Sequence, residues 1–205
     1  MDIQTEHVVN AGGLWAREVG RMVGLELPVL AMEHMYLLTE DMKEVIAFNL
    51  EKGKEIPSAM DFDGELYLRQ EQQGILIGPY ERANAQAWGL DGVDWSFDME
   101  LLSPALDRLE TSLEHAAERI PCWTNAGIKR VVNGPITHTP DGGFLLGPAE
   151  GLRNYWLCCG ASIGITQGPG CGKYLAQWIV HGQTEINVRD MDPRRYGKWA
   201  SGDYA

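Results

Sequence analysis

The sequence of 205 residues predicts a mixed α+β and α/β fold, in which an antiparallel sheet with a flanking helix lies between βα units. Three observations lead to this prediction. A strand-like run followed by a helical pattern occurs near each end of the chain, and short β-rich runs separated by turn residues fill the middle. Leucines and alanines recur at helical spacing between Ser103 and Pro121.

The first βα unit comprises a strand at residues 3–9, a turn, and a helix from Leu14 to Val23 that Gly24 closes. Parallel strands are normally covered on both faces by other elements of a larger sheet. We therefore expect residues upstream of Met1 to supply further parallel strands, and the last βα unit to return to the same sheet.

The middle of the chain is predicted to be antiparallel. Its β-rich runs are "LPVLAMEHMYLLTE" and "AMDFDGELYLRQEQQGILIGPYE", and Asp63-Gly64 is a favourable hairpin turn. The clearest helix begins at Ser103-Pro104 and ends before Pro121.

The final βα unit combines the buried strand "YWLCC" with a helix from about Gly170 to Val180, capped by His181-Gly182. Five glycines precede or begin this helix, at positions 160, 164, 168, 170 and 172. Free N–H groups and the positive dipole end at a helix start suit an electron-rich ligand, although a tight turn alone also explains the glycines. A Walker A loop is excluded, because Gln167 replaces its first glycine and Tyr174 follows the lysine.

Composition excludes several classes of protein. Hydrophobic residues make up 44% and charged residues 22%, as in soluble globular proteins. The 17 basic residues are scattered among 29 acidic ones, which argues against a nucleic-acid partner. Four cysteines without C-x-x-C spacing indicate neither a metal site nor a disulfide framework. With no membrane-spanning run and no basic leader, we expect a cytoplasmic protein without a membrane partner.

Five blocks in order carry a resemblance to a known family: "VVNAGGLWAREVG", "MEHMYLLTE", "ELYLRQEQQGILIGPYE", "VNGPITHTPDGGFLLGP" and "YWLCCGASIGITQGPGCGKYLAQWIVHG". Together they resemble the C-terminal part of the FAD module in dimethylglycine and sarcosine dehydrogenases, within the D-amino-acid-oxidase-like superfamily. The resemblance implies that residues 1–26 and 134–185 belong to the FAD-binding domain and residues 27–133 to a substrate-binding antiparallel sheet domain. It implies that residues 186–205 are a linker into a following domain.

The resemblance also implies a cofactor site for FAD. Family members hold the FAD pyrophosphate on a G-x-G-x-x-G loop that this sequence lacks, so we expect an N-terminal FAD-binding segment or subunit as a partner. The residues expected near the cofactor are Gly12, Trp15, Pro140, Asp141, Gly142, Leu145 to Gly147, Gly164, Ile165, Thr166 and Gln167. Trp15 has the alternative of packing on its own helix. No metal site is expected.

His34 and Tyr67 match the family positions that line the substrate pocket in front of the flavin. Oxidation of an N-methyl group requires a neutral amine, which a neutral imidazole or a phenol would favour by hydrogen bonding. A histidine and a tyrosine on strands also serve as ordinary structural residues, and that alternative stays open. His138 is a weaker candidate.

Other polar residues have simpler interpretations. His115 lies in the exposed register of the long helix, and Asp61, Asp63 and Glu65 are expected on the solvent side of the hairpin. Arg69 is expected either to pair with a substrate carboxylate or to form a surface salt bridge.

The resemblance implies FAD-dependent oxidative demethylation of a small N-methylated amino acid such as dimethylglycine or sarcosine. Hydride passes to flavin N5, and the iminium product hydrolyses to formaldehyde and the demethylated amine. The alternative is a non-catalytic fragment or interaction subunit without bound flavin.

Overall fold

A computed structural model describes residues 2–81, 84–202 and 204–205, which form nine strands and four α-helices. In chain order these are β1 (Val8–Asn10), α1 (Ala16–Arg21), β2 (Leu30–Thr39), α2 (Lys43–Lys52), β3 (Ala59–Asp61), β4 (Leu66–Glu71), β5 (Gly74–Pro79), β6 (Ala87–Trp88), α3 (Glu110–Arg119), β7 (Ile128–His138), β8 (Leu145–Pro148), β9 (Tyr155–Cys159) and α4 (Gly164–His181). Within the described ranges, no helix is both long enough and apolar enough to cross a bilayer.

The chain divides into two compact units. The first unit contains Met1–Met32, Ala87–Asp98 and Ile136–Ala205, and the second contains Glu33–Gln86 and Met99–Pro135. These ranges differ from the predicted domain boundaries by a few residues at two borders, since residues 27–32 lie in the first unit and residues 134–135 in the second, and in two longer segments. Residues 87–98 lie in the first unit instead of the sheet domain, and residues 186–205 pack in the first unit, with Val188 and Ala200 buried.

The first unit is built on a three-stranded sheet in the order β1-β9-β8. Strand β9 is parallel to β1, with Val9 opposite Trp156, and this pairing confirms that the last βα unit returns to the sheet of the first. Strand β8 is antiparallel to β9. Cys171 and Leu175 of α4 are buried in an apolar cluster with Phe144, Leu146 and Trp156.

The second unit is an antiparallel sheet in the order β3-β4-β5-β2 with an apolar cluster on one face. The predicted hairpin is confirmed: β3 and β4 pair antiparallel, and Gly64 donates its N–H to Asp61 Oδ1 at 3.0 Å. Alternation along the strands sends Leu37, Leu66 and Ile77 into the cluster, which also contains side chains of α2 and the region around α3.

Several predicted boundaries were wrong. The first strand covers only β1, and a 3₁₀ turn at Gly13–Trp15 precedes the shorter helix α1. The long helix is regular only in α3, because Leu106–Leu109 form a 3₁₀ turn instead of the α-helical start expected near Pro104. The final helix begins at Gly164, six residues earlier than predicted, and contains Pro169.

Helix α2 was not predicted at all. Only Val45 is buried in it, so its sequence lacks the wide apolar stripe on which helix prediction depends. Its C-terminal signal was present: Gly53 takes the left-handed conformation, with φ of 65°, directly after the helix.

Candidate functional site

The first turn of α4 is an exposed helix start. Residues Gly164 to Gln167, all expected near the cofactor, form this turn, and Ile165 is 99% exposed. Ile163, which precedes the helix, has no side-chain oxygen to accept from its N–H groups. The turn therefore presents backbone donors and an apolar side chain outward.

The glycines of α4 leave this surface open. Among the residues that the structure describes, and apart from the helix's own backbone, nothing lies within 4 Å of where a Cβ would stand on Gly168, Gly170 or Gly172. A flat ring can approach such backbone closely, and helix N–H groups stabilise negative charge on it. The backbone here is therefore open to the edge of a flat, electron-rich ligand.

A turn at Pro140 to Gly142 is held by the C-terminal segment of the first unit. Arg195 donates to both carboxylate oxygens of Asp141, at 2.7 and 2.8 Å, and to the carbonyl oxygens of Gly143 and Phe144. The hydrogen bond from Arg195 lowers the pKa of Asp141 well below its usual range. Asp141 is thus engaged within the protein, and its carboxylate shapes the turn.

The strand that leads into this turn lies beside the segment that leads into α4. Thr137 Oγ1 is 3.5 Å from the carbonyl oxygen of Ala161, and a Cβ on Gly160 would stand 2.7 Å from Thr139 Cγ2. Gly160 has φ of 72°, so both its backbone and its surroundings require glycine. This packing relates the two predicted cofactor segments within one unit.

Gly147 is placed elsewhere. It is buried in β8, where a Cβ would stand 2.7 Å from the Trp178 ring of α4. Trp178 lies 14 residues beyond Gly164, or roughly 21 Å along a helix axis. Leu145 is buried in an apolar cluster. The structure therefore places Gly147 away from the start of α4, whereas Leu145 Cγ lies 3.8 Å from where a Cβ would stand on Gly160.

Gly12 and Trp15 line a shallow cavity of the first unit together with Val19, Trp95, Phe97 and Asp98. The Gly12 N–H donates to Asn10 Oδ1 at 3.0 Å, and Trp15 Nε1 donates to the Asp94 carbonyl at 3.0 Å. Trp15 is therefore hydrogen-bonded to the 87–98 segment, and its side chain also lines the cavity.

His34 and Tyr67, the two predicted catalytic residues, meet in the second unit. His34 Nε2 lies 3.0 Å from Tyr67 Oη, and their rings are nearly parallel with centroids 5.9 Å apart. Odd-numbered residues of β2 and even-numbered residues of β4 enter the apolar cluster. Both side chains therefore project from the opposite face of the sheet.

Burial determines the protonation state of the Tyr67 phenol. Burial, the largest cause, raises the pKa of Tyr67 to about 12, with smaller contributions from nearby tyrosines. The phenol consequently stays neutral at physiological pH, and it donates to Nε2 or accepts from it according to the imidazole tautomer.

Tyr80 was missed in the sequence. Its ring centroid lies 5.0 Å from that of His34 and 5.5 Å from that of Tyr67, and the side chain is 41% exposed. The alternation of β5, in which Ile75 and Ile77 enter the cluster, was the available signal for a residue on the His34 face.

A charged cluster near these rings was also missed. Arg108 donates to Glu81 through two nitrogens, at 3.0 and 2.6 Å, and to Glu33 at 2.6 Å. Asn133 also donates to Glu33, at 2.9 Å. Because Glu33 and Glu81 adjoin His34 and Tyr80 in sequence, the cluster fixes the backbone that carries both rings.

The remaining candidates have structural partners. His115 is not simply solvated, because its Nδ1 lies 3.2 Å from the Gly64 carbonyl oxygen. Asp61 pairs with Arg119, and Arg69 pairs with Glu71 at 2.7 Å in an exposed position. Burial lowers the pKa of His138. Over the described part of the chain, no three His, Cys, Asp or Glu side chains gather as a metal site.

The fold is that of a class of flavoenzymes. The L-proline dehydrogenase of P. horikoshii matches with a TM-score of 0.74 and 25% identity, over 94% of this chain and 47% of that structure. Residues 2–178 match the family model described as "DAO: FAD dependent oxidoreductase". The chain therefore belongs to the FAD dependent oxidoreductase family, whose cofactor is FAD.

Three curated relatives are informative. Mitochondrial dimethylglycine dehydrogenase of Mus musculus is 43% identical over 98% of this chain, and mitochondrial sarcosine dehydrogenase of Mus musculus is 39% identical over 95%. The mitochondrial pyruvate dehydrogenase phosphatase regulatory subunit of Mus musculus is 33% identical over 95%. The chain spans only 23%, 20% and 22% of these relatives, respectively.

Proposed function

We propose that this chain forms part of an enzyme that oxidatively demethylates a small N-methylated amino acid of the dimethylglycine or sarcosine type. Its similarity to dehydrogenases named for these two substrates supports the substrate class. A segment or subunit that binds the FAD pyrophosphate completes the cofactor site, because the sequence carries no G-x-G-x-x-G loop.

The observation that carries this proposal is the 3.0 Å contact between His34 Nε2 and Tyr67 Oη. The substrate amine must lose its proton before oxidation, since only a free lone pair supports loss of hydride from the neighbouring methyl carbon. In the tautomer that carries the proton on Nε2, the neutral Tyr67 phenol accepts a hydrogen bond from His34 and orients the imidazole, and Nδ1 accepts the amine proton.

FAD, when bound, supplies the hydride acceptor and so carries the redox chemistry. The chain's own contribution at the cofactor is electrostatic and steric. The N–H groups of Gly164, Ile165 and Thr166 would hold the electron-rich edge of the ring, and the glycines that follow leave room for it. The Pro140 to Gly142 turn is the second predicted cofactor contact.

Kinetics of the assembled holoenzyme test this function. His34→Gln and Tyr67→Phe are each expected to lower kcat for dimethylglycine or sarcosine by about 100-fold or more, the usual contribution of an acid–base group. His115→Gln, a histidine engaged with the Gly64 carbonyl in the same unit, is the matched control and should leave kcat unchanged. Unaltered kcat in both site variants would remove the pair from the mechanism.

A second candidate is a non-catalytic subunit of an assembly. The similarity to a protein named as a regulatory subunit favours it, because that relative aligns over 95% of this chain. The two functions differ in one observable. A regulatory subunit would form a stable complex with its partner, yet the flavin spectrum of that complex would not respond to N-methylated amino acids.

A further inference from the structure

Tyr67 and His34 are not on neighbouring strands. Strand β5 lies between β4, which carries Tyr67, and β2, which carries His34. Adjacent strands are about 4.8 Å apart, so the two backbones are separated by roughly 9.6 Å. The Tyr67 side chain must therefore pass over β5 to bring its hydroxyl within 3.0 Å of His34 Nε2.

Gly78 is the residue over which the Tyr67 ring passes. The two residues are directly opposite in the β4–β5 pairing. A Cβ on Gly78 would stand 2.0 Å from Tyr67 Cζ and 2.3 Å from Tyr67 Oη. Both distances are far below van der Waals contact, so any side chain at this position would displace the phenol.

The requirement at Gly78 is steric and not conformational. The φ angle of Gly78 is not in the positive range that favours glycine. Alanine can take its backbone conformation in a strand and is no worse than glycine there. The strand itself therefore gives no reason for glycine, whereas the path of the tyrosine does.

Tyr80 supports the same geometry from the far side. It directly follows β5, two residues after Gly78, and its ring contacts both His34 and Tyr67. The Tyr67 ring is thus confined between the glycine beneath it and the Tyr80 ring beside it.

We propose that Gly78 is a positioning residue for the His34–Tyr67 pair: its missing side chain forms the passage through which the Tyr67 phenol reaches the imidazole. The importance of Gly78 for catalysis rests on the proposed function of the pair. The position of the Tyr67 phenol concerns only the second unit, and it is tested by measurements that do not require enzyme activity.

The first test is tyrosine ionisation in the 205-residue chain, followed by ultraviolet difference titration, with Tyr67→Phe identifying the Tyr67 contribution. In the unchanged chain burial raises the pKa of Tyr67 to about 12. Gly78→Ala should return this pKa toward the ordinary value of about 10, because the phenol leaves its buried place. The His34 imidazole NMR signals should shift as they do in Tyr67→Phe.

The matched control is Gly134→Ala, in another strand of the same unit. A Cβ there would meet only Leu101 Cδ2 at 3.8 Å, an ordinary contact. It should change neither the Tyr67 titration nor the His34 signals. If Gly78→Ala behaves like this control, the inference is overturned.

A double-variant cycle keeps the test valid if Gly78→Ala folds poorly. With Tyr67→Ala the ring is gone, so adding Gly78→Ala should leave the midpoint of urea unfolding unchanged. An equal loss of stability in both backgrounds would show that the glycine serves the strand alone and would overturn the inference.

Kinetics of the holoenzyme then separate the two proposals. Gly78→Ala should lower kcat by about the same factor as Tyr67→Phe, on the order of 100-fold. The variant that combines both changes should lower kcat by no more than either change alone. A wild-type enzyme inactive on N-methylated amino acids would refute the proposed function, whereas the titration would still decide the role of Gly78.

Discussion

The raised pKa of the Tyr67 phenol makes the free energy of unfolding depend on pH at high pH. Because its pKa is raised to about 12 in the folded chain and is near 10 when unfolded, folding favours the protonated phenol. The contribution is fully present below pH 10 and is lost as the pH rises to about 12. Allowing for partial solvent screening, we expect a loss of about 1 kcal/mol.

Urea unfolding at several pH values measures this loss. Tyr67→Phe has no ionisable phenol, so its free energy of unfolding should fall less steeply between pH 10 and 12 than that of the parent chain. Identical slopes in the two proteins would contradict the raised pKa of Tyr67.

Asp141 gives the opposite dependence, at low pH. The hydrogen bond from Arg195, its largest cause, lowers the pKa of Asp141 in the folded chain. Stability from this pair is present above the unfolded pKa of about 3.9 and is lost as the pH falls below it. Asp141→Asn should reduce the loss of stability at acid pH by about 0.5 kcal/mol, a small value because the carboxylate is partly exposed; urea unfolding of both proteins at several acid pH values measures the difference.

Sequence reasoning located individual residues unevenly. The resemblance singled out His34 and Tyr67, and the structure brings them into contact, while their catalytic role stays a prediction. It gave no indication of Gly78, because the requirement for glycine arises from a ring that comes from another strand. Arg195 was likewise assigned to a linker, since nothing local shows that its partner is Asp141, 54 residues away.

At the scale of elements, the start of α4 is expected to be its least stable part. Glycine costs roughly 0.5–1 kcal/mol relative to alanine within a helix, and four glycines with Pro169 fall in its first nine residues. Backbone amides of residues 164–168 should therefore exchange with solvent faster than those of residues 174–180.

Hydrogen exchange with mass spectrometry checks this expectation. Bound FAD should slow exchange in residues 164–168 and leave residues 174–180 unchanged, because only the helix start is proposed to face the ring. Protection spread evenly along α4, or none, would contradict the placement of the cofactor at the helix start.

The Arg108 cluster links β2, which contains Glu33, to Glu81, which follows the end of β5. Arg108 is only 11% exposed and is the cationic partner of both Glu33 and Glu81. Arg108→Met should lower the free energy of unfolding by about 3 kcal/mol, because it leaves two largely buried carboxylates uncompensated. Arg119→Met, which breaks an exposed pair with Asp61, is the control and should cost much less by urea unfolding.

Strands were easier to predict than helices in this sequence. Alternation and turn residues identified the β3–β4 hairpin and the buried strand β9, because both signals are local. The predicted start of helix α4 was too late in the chain, because glycine and proline disfavour helix and both occur in its first turns. The parallel pairing of β1 with β9 was inferable only because one βα unit cannot bury its own strand.

At the scale of the whole molecule, each of the two units carries a different part of the proposed chemistry. The first unit carries the predicted FAD contacts on α4 and the 140–142 turn, and the second carries the His34–Tyr67 pair. Family membership makes FAD the cofactor, while the amine substrate and the completing segment are proposals. The account as a whole therefore depends on whether an N-methylated amino acid reduces the flavin.

The most direct measurement is the visible absorption spectrum of the flavin-loaded assembly that contains this chain, titrated without oxygen with dimethylglycine and then sarcosine. The account predicts bleaching of the flavin bands by at least one of them, and slow or absent bleaching in the His34→Gln variant. Retained flavin bands that neither amino acid bleaches would contradict the central claim that this chain acts in oxidative N-demethylation.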